Sequence, residues 1–387
     1  MPATVWALGF VSMFMDISSE MIHSLLPMFL VGSLGMSALA VGILEGLAES
    51  TAMIVKVFSG ALSDYLGKRK GLALFGYALG AFAKPLFALA SGAGLIVAAR
   101  LIDRVGKGIR GAPRDALVAD TAPPEIRGEA FGLRQSLDTV GAFLGPLIAA
   151  GLMLLWANDF RAVFWVAVIP GMISVVLMLG VKEPPRHADH KPSSPIKWES
   201  LRRLDKRYWE VVAMGTVFTL ARFSEAFLVL RAQQLGISMA MVPLVMVAMN
   251  LIYAVSAYPF GWLSDRASHA KLLAWGMAVL IVSDIVLARA DHGLMVIVGV
   301  ALWGVHMGMT QGLLATMVAD TAHPAVRGTA FGVFNLVSGI AMLAASATAG
   351  WLWQTVGASA TFIAGAVFAS FTLVGVVMWA KPSSTAR

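Results

Sequence analysis

Apolar residues run along the chain in long, evenly hydrophobic stretches separated by short polar breaks. The stretches are too long for the alternating pattern of a half-buried strand. A helix needs about 20 apolar residues to cross the hydrocarbon of a bilayer. On that measure the pattern predicts twelve spans: residues 4–31, 38–62, 71–90, 93–117, 129–155 and 160–181, then 209–233, 239–263, 271–290, 293–317, 329–355 and 359–380. Between the sixth and seventh lies the one long polar stretch, Lys182 to Tyr208, which reads as a linker. Within it, Ser194-Pro195 is expected to start a short helix through Trp198, Leu201 and Leu204. The expected organisation is a six-helix bundle over 1–181, a cytoplasmic linker over 182–208, a second six-helix bundle over 209–380 and a cytoplasmic tail at 381–387.

The two bundles are copies of one another. Val118 to Gly132, VADTAPPEIRGEAFG, returns 200 residues later as Val318 to Gly332, VADTAHPAVRGTAFG, with eleven of fifteen positions identical. Gly60-Ala61-Leu62-Ser63-Asp64 likewise returns as Gly261-Trp262-Leu263-Ser264-Asp265. A period this long is that of a duplicated domain, since solenoid repeats run about 20–50 residues.

Composition fixes the medium. The chain is 58% hydrophobic and 13% charged, with a mean hydropathy of +0.78, against about 25% charged residues in a soluble domain. It reads as an all-α, multi-pass membrane protein in the lipid bilayer. The net charge of +7 is not a nucleic-acid signal, because its basic residues gather in alternate loops. Lys68, Arg69 and Lys70 follow span 2, Arg127 follows span 4, Arg266 and Lys271 flank the break after span 8, and Arg327 follows span 10. The positive-inside rule then places both termini in the cytoplasm, and a cell's inner (plasma) membrane is the expected location. Met1-Pro2 lacks a basic leader region, so span 1 is expected to be retained. There is no cysteine, hence no disulfide and no thiolate metal site. No nucleophile elbow, phosphate loop or zinc-protease motif is present, so an enzyme or a non-transporting receptor is the weaker alternative, and no cofactor is expected.

Ionisable residues inside spans carry the candidate chemistry, because at membrane depth they are costly and must face a partner or a cavity. Asp16, Glu20 and His23 share one face of span 1. Glu45, Glu49 and Lys56 lie near one face of span 2. In span 4, Arg100, Asp103, Arg104, Lys107, Arg110 and Arg114 keep to one side of the helix. Arg134 and Asp138 add an i, i+4 pair in span 5. A structural ion-pair ladder and a proton or substrate site are both compatible with these faces. The second half is quieter. Arg222, Glu225, Asn250, Trp303, His306 and Asn335 are its candidates for a substrate cavity, to which Glu45, Arg104, Lys107 and Asp138 would contribute from the first half.

The loop Gly60-Ala61-Leu62-Ser63-Asp64-Tyr65-Leu66-Gly67-Lys68-Arg69-Lys70 resembles the cytoplasmic signature of the major facilitator superfamily of transporters. Arg100 through Gly108 resembles the family's span-4 arginine motif, although Asp103 and Arg104 stand where the resembling drug exporters have an uncharged pair. Gly141, Gly145 and Pro146 match the G-x-x-x-G-P element of its antiporters. The resemblance implies two six-helix bundles related by a pseudo-two-fold axis, a site between them, and proton-coupled export of a small organic molecule by alternating access; the residues themselves, with the span-4 cations left in excess once the acids of spans 1 and 2 are protonated, set the expectation of an anionic or zwitterionic substrate. On this reading Asp16, Glu20, His23, Glu49 and Arg100 serve proton coupling. Gly60, Asp64, Gly67 and Arg127, with Asp265 and Arg327, form cytoplasmic latches, and Gly141, Gly145 and Pro146 serve helix packing. Small-molecule substrate and protons are the expected partners, and the chain is expected to work as a monomer. Export of a divalent metal or metal chelate is the alternative, since carboxylate and imidazole suffice as ligands.

Overall fold

The structure, a computed structural model, describes residues 1–183 and 204–380 apart from residues 67, 265, 311, 324 and 325. The linker helix expected through Trp198 and the tail at 381–387 lie outside the described residues. The first half comprises α1 (Ala3–His23), α2 (Ala38–Leu66), α3 (Arg69–Leu89), α4 (Ala93–Thr121), α5 (Arg127–Leu155) and α6 (Phe160–Gly180). The second comprises α7 (Lys206–Ala221), α8 (Ala226–Gln234), α9 (Pro243–Ser264), α10 (His269–Arg289), α11 (Gly293–Thr310), α12 (Leu313–Thr321), α13 (Arg327–Thr355) and α14 (Ala358–Trp379). Among the described residues, eleven helical stretches are long and apolar enough to cross a membrane. The twelfth, α4, has the length, 29 residues, but carries too many charges to satisfy an apolarity criterion. It is tolerated because most of its charges, Arg100, Asp103, Arg104 and Arg110 among them, are buried against other helices.

Three spans expected to be continuous are interrupted. The first stops at His23, and a short turn at Leu26–Met28 and a π-helical turn at Phe29–Ser33 carry the chain on. Pro27 has no N–H with which to continue the ladder. The seventh breaks at Arg222–Glu225 between α7 and α8, where the Ser224 N–H donates to the Ser346 hydroxyl at 3.2 Å. The tenth breaks before α12 at Gly312, whose φ of 76° is left-handed. Other boundaries fall within a few residues of expectation.

The chain forms two compact units. One holds Met1–Met36, Leu47–Pro195 and Ser238–Val247; the other holds Ser37–Gly46, Ile196–Ile237 and Ala248–Arg387. The exchanged segments, 37–46 and 238–247, occupy equivalent places in the repeat, at the starts of the second helix of each half. In the first unit α1 packs on α5 and α6, and α3 on α4 and α6. In the second, α10 packs on α11 and α14, and α7 on α13 and α14. Lipid offers no hydrophobic drive to bring helices together, so close backbone approach has to supply the contact. Gly76, Gly80 and Gly106 provide it between α3 and α4: a Cβ on Gly106 would lie 2.7 Å from the Gly76 carbonyl oxygen and 2.9 Å from the Gly80 nitrogen. Large apolar side chains such as Phe75, Phe82, Ile169, Trp275 and Phe371 point outward, where a bilayer would solvate them.

Candidate functional site

The glycine contact between α3 and α4 brings a lysine to the charged face of α4. Lys84, 1% exposed, donates from Nζ to Asp103 Oδ1 at 2.7 Å and to Ser19 Oγ of α1 at 2.9 Å. Asp103 stands 3.8 Å from Arg104 Nε, and Arg104 Nη1 reaches Glu49 Oε1 of α2 at 3.0 Å. Arg104 is 2% exposed and Glu49 27%, so the chain Lys84–Asp103–Arg104–Glu49 runs from the packed interior of the unit to a partly exposed carboxylate. Arg100 and Arg110 are buried with it, and the Arg110 guanidinium lies over the Tyr77 ring at 5.1 Å. Lys107, on the same ladder, is exposed.

The acids of α1 are held at the open side of this core by α5. A Cβ on Gly141 would stand 2.6 Å from the Met13 carbonyl oxygen and 3.0 Å from Asp16 Cβ; one on Gly145 would stand 2.7 Å from Glu20 Cβ. Pro146 follows, buried, within α5. Glu20 pairs with His23 at 3.6 Å, and Lys107 and Arg104 act on it through space. Lys107, Arg104 and Arg100 likewise face Glu49. Asp16 faces Asp138, Arg110, Lys107 and Arg114. Nearby, Arg134 meets Asp138 at 2.5 Å, and Arg114 meets Asp115 and Ser12, each at 3.0 Å. The structure therefore gathers Asp16, Glu20, His23, Glu49, Arg100, Arg104, Lys107 and Asp138 in one unit. Glu45, buried, belongs to the segment 37–46 of the other unit.

Sequence reasoning passed over Lys84, Ser19 and Asp115. Lys84 is the sole charge within the span expected at 71–90, and a lone ionisable residue at membrane depth, which needs a partner, was a usable signal. Ser19 carried none.

In the second unit the candidates are dispersed. His306 is fully buried and its Nδ1 bonds the Gly276 carbonyl oxygen at 2.8 Å. Trp303 is 1% exposed inside an aromatic cluster with Phe223. Both occupy helix-packing positions rather than an open cavity wall, because the faces on which they lie press against α10 and the α7–α8 break. Arg222, half-buried at that break, lies over Phe218 at 5.6 Å and faces Glu225 and Tyr253. Asn250 is buried and Asn335 half-buried.

Of the expected latches, Gly67, Asp265 and the side chains of Asp64 and Arg327 lie outside the described residues. Gly60 abuts Ala112 of α4, and the Arg127 guanidinium donates to the Ala119 carbonyl at 3.1 Å, fastening the last turn of that helix. A pair not anticipated from the sequence follows the repeat: Arg69 meets Asp120 at 2.7 Å, and His269 meets Asp320 at 3.9 Å, each partner 200 residues on.

The profile of the Major Facilitator Superfamily matches residues 8–231 and 223–387. The MFS-type transporter MJ1317 of Methanocaldococcus jannaschii is 32% identical over 372 residues, 94% of this chain and 92% of that protein. The multidrug resistance protein MdtH of Photorhabdus laumondii is 24% identical over 351 residues, covering 86% and 82%. Among solved structures, a POT family transporter in complex with 5-aminolevulinic acid superposes with a TM-score of 0.80 at 12% identity, over 98% of this chain and 95% of that one, a likeness of fold alone.

Proposed function

The chain belongs to the major facilitator superfamily and is a multi-pass membrane transporter of small molecules, and from that premise we propose that it carries out proton-coupled export of a small organic anion or zwitterion. The observation that supports coupling is the Arg104 bridge. Its guanidinium is buried, touches half-exposed Glu49 on one side and faces the Lys84–Asp103 pair on the other. Protonating Glu49 removes its charge from Arg104, which then leans on Asp103 in competition with Lys84. The redistribution reaches Ser19 of α1, between Asp16 and Glu20, through the Lys84 ammonium. One proton at a partly exposed carboxylate thus changes the pairing that ties α1, α2, α3 and α4 together.

The same exchange sets the substrate's charge. With Asp16, Glu20 and Glu49 ionised, their charges balance Arg104, Lys107 and Arg114. With them protonated, those cations are left in excess and attract an anionic group. The likeness to MdtH, a multidrug resistance protein, supports the outward direction. Both termini are taken to be cytoplasmic, in the inner membrane, on the strength of Lys68, Arg69, Lys70 and Arg127 lying at one end of the bundle. The repeated loops, Asp64 with Arg127 and Asp265 with Arg327, are proposed as cytoplasmic latches, and the chain as active when monomeric.

Proteoliposomes loaded with matched acid, amide and amine analogues, and with divalent metals, test the reading. The acid should exchange best, and Glu20→Gln and Glu49→Gln should keep counterflow at uniform pH while losing accumulation driven by a pH gradient. Full gradient-driven accumulation by both variants would refute the coupling. Preference for the amine, or for a metal, would refute the substrate class.

A further inference from the structure

The second half carries, at the repeat position of Lys84, an aspartate: Asp284 of α10. In the first half Lys84 is paired with Asp103; the residue equivalent to Asp103 is Trp303, which offers no countercharge. Asp284 is 0% exposed, and neither carboxyl oxygen has a hydrogen-bond partner among the described residues. Its enclosure is tight and apolar. A Cβ on Gly365 of α14 would lie 2.6 Å from Asp284 Oδ2 and 2.9 Å from Phe223 Cε1. Phe223 in turn packs on Trp303, Phe362 and Phe227, with ring centroids 5.4, 5.6 and 5.7 Å away. The Trp303 indole N–H in this cluster is also without a partner.

Among the described residues, no charge on the neighbouring helices compensates it. Helix α14 has no ionisable residue, and α11 has only His306, which bonds Gly276, eight residues before Asp284 on α10. Asp320 of α12 lies beside His269 at the far end of α10. Lys206, Arg207, Tyr208 and Glu210 lie in the first turns of α7, and Arg222 beyond its end faces Glu225 and Tyr253. The Arg231 guanidinium of α8 is taken up by the carbonyls of Leu287, Ala288 and Ala290 and by Gln234. On α10 itself, His269 and Lys271 sit at the start and Arg289 is exposed at the end.

An ionised carboxylate stripped of water, with no countercharge and no donor, is among the most costly groups a fold can hold, whereas a neutral carboxyl group needs neither counterion nor extra room. We infer that Asp284 is a proton-binding site of the second unit, its carboxyl group holding a proton while α10 and α14 are closed over it. The proton adds to one carboxylate oxygen from water and returns to water when the seam at Gly365 parts. The site is separate from Glu20 and Glu49 and does not depend on their role in coupling.

Infrared spectra of the full-length protein in lipid nanodiscs at neutral pH test this directly, without transport. The carbonyl band of a protonated carboxyl group should be present, should exchange slowly in deuterium oxide, and should be missing from Asp284→Asn. Loss of no such band in a folded Asp284→Asn protein would overturn the proposal. A second arm needs no change at this position: Asp16→Asn protein labelled with 13C-carboxyl aspartate should still show a protonated carboxyl band moved by the label. Absence of any such labelled band would equally overturn it.

Discussion

Replacing Lys84 with methionine removes one partner of a buried ion pair while keeping the length of the side chain. The bond lost is the 2.7 Å contact to Asp103, together with the 2.9 Å contact to Ser19. Removing one member of a buried pair costs about 3–5 kcal/mol, because the remaining charge is stranded rather than because the bond itself is strong. Asp103 is not wholly stranded here: Arg104 stands at 3.8 Å, and Arg110 also acts on it. The lower end, about 3 kcal/mol, is therefore expected. At about 2–4 °C per kcal/mol for a folding unit of this size, the melting temperature should fall by about 6–12 °C. Asp103→Leu combined with Lys84→Met removes both charges, and the double variant should regain much of the loss, leaving a coupling energy of about 2 kcal/mol. Thermal unfolding in detergent, followed by tryptophan fluorescence, measures all four proteins of the cycle. The reasoning is refuted if Lys84→Met alone is as stable as the unmodified protein, or if the double variant is less stable than the sum of the singles.

Gly145→Ala would put a methyl group 2.7 Å from Glu20 Cβ and 2.9 Å from the Ile17 carbonyl oxygen, so it should cost about 1–3 kcal/mol in thermal unfolding and slow counterflow by displacing α1. Arg231→Ala would remove the guanidinium donor from the Leu287 and Ala290 carbonyls at the end of α10, while the Ala288 carbonyl keeps the Ser359 hydroxyl at 2.7 Å. A drop of about 2–4 kcal/mol is expected by the same unfolding assay, whereas truncating the exposed Arg289 should change stability by less than about 0.5 kcal/mol.

Sequence alone determined the medium, the count of spans and the duplication, because each is a property of composition and period. Twenty apolar residues between polar breaks have one low-energy use, and a fifteen-residue match at a 200-residue offset needs no contact to be seen. It also marked the charged faces of spans 1, 2 and 4, since helical spacing places Asp16 with Glu20 and Arg100 with Arg104 whatever surrounds them. Pairing was beyond its reach. Lys84 finds Asp103 only because Gly76, Gly80 and Gly106 let two backbones touch, and Glu49 finds Arg104 only through the packing of α2 on α4 at Gly108. His306 and Trp303 look like cavity liners by residue type, yet packing against α10 and the α7–α8 break takes them into the interior. The breaks at Arg222–Glu225 and Gly312 were equally hidden, because a serine hydroxyl from α13 and a left-handed glycine, rather than local propensity, decide where those helices stop. Asp284 shows the difference most sharply. Its sequence neighbourhood is that of any polar residue in a span, and only the closure of Gly365 and Phe223 over it, with no hydrogen-bond partner among the described residues, singles it out as the proton site inferred above.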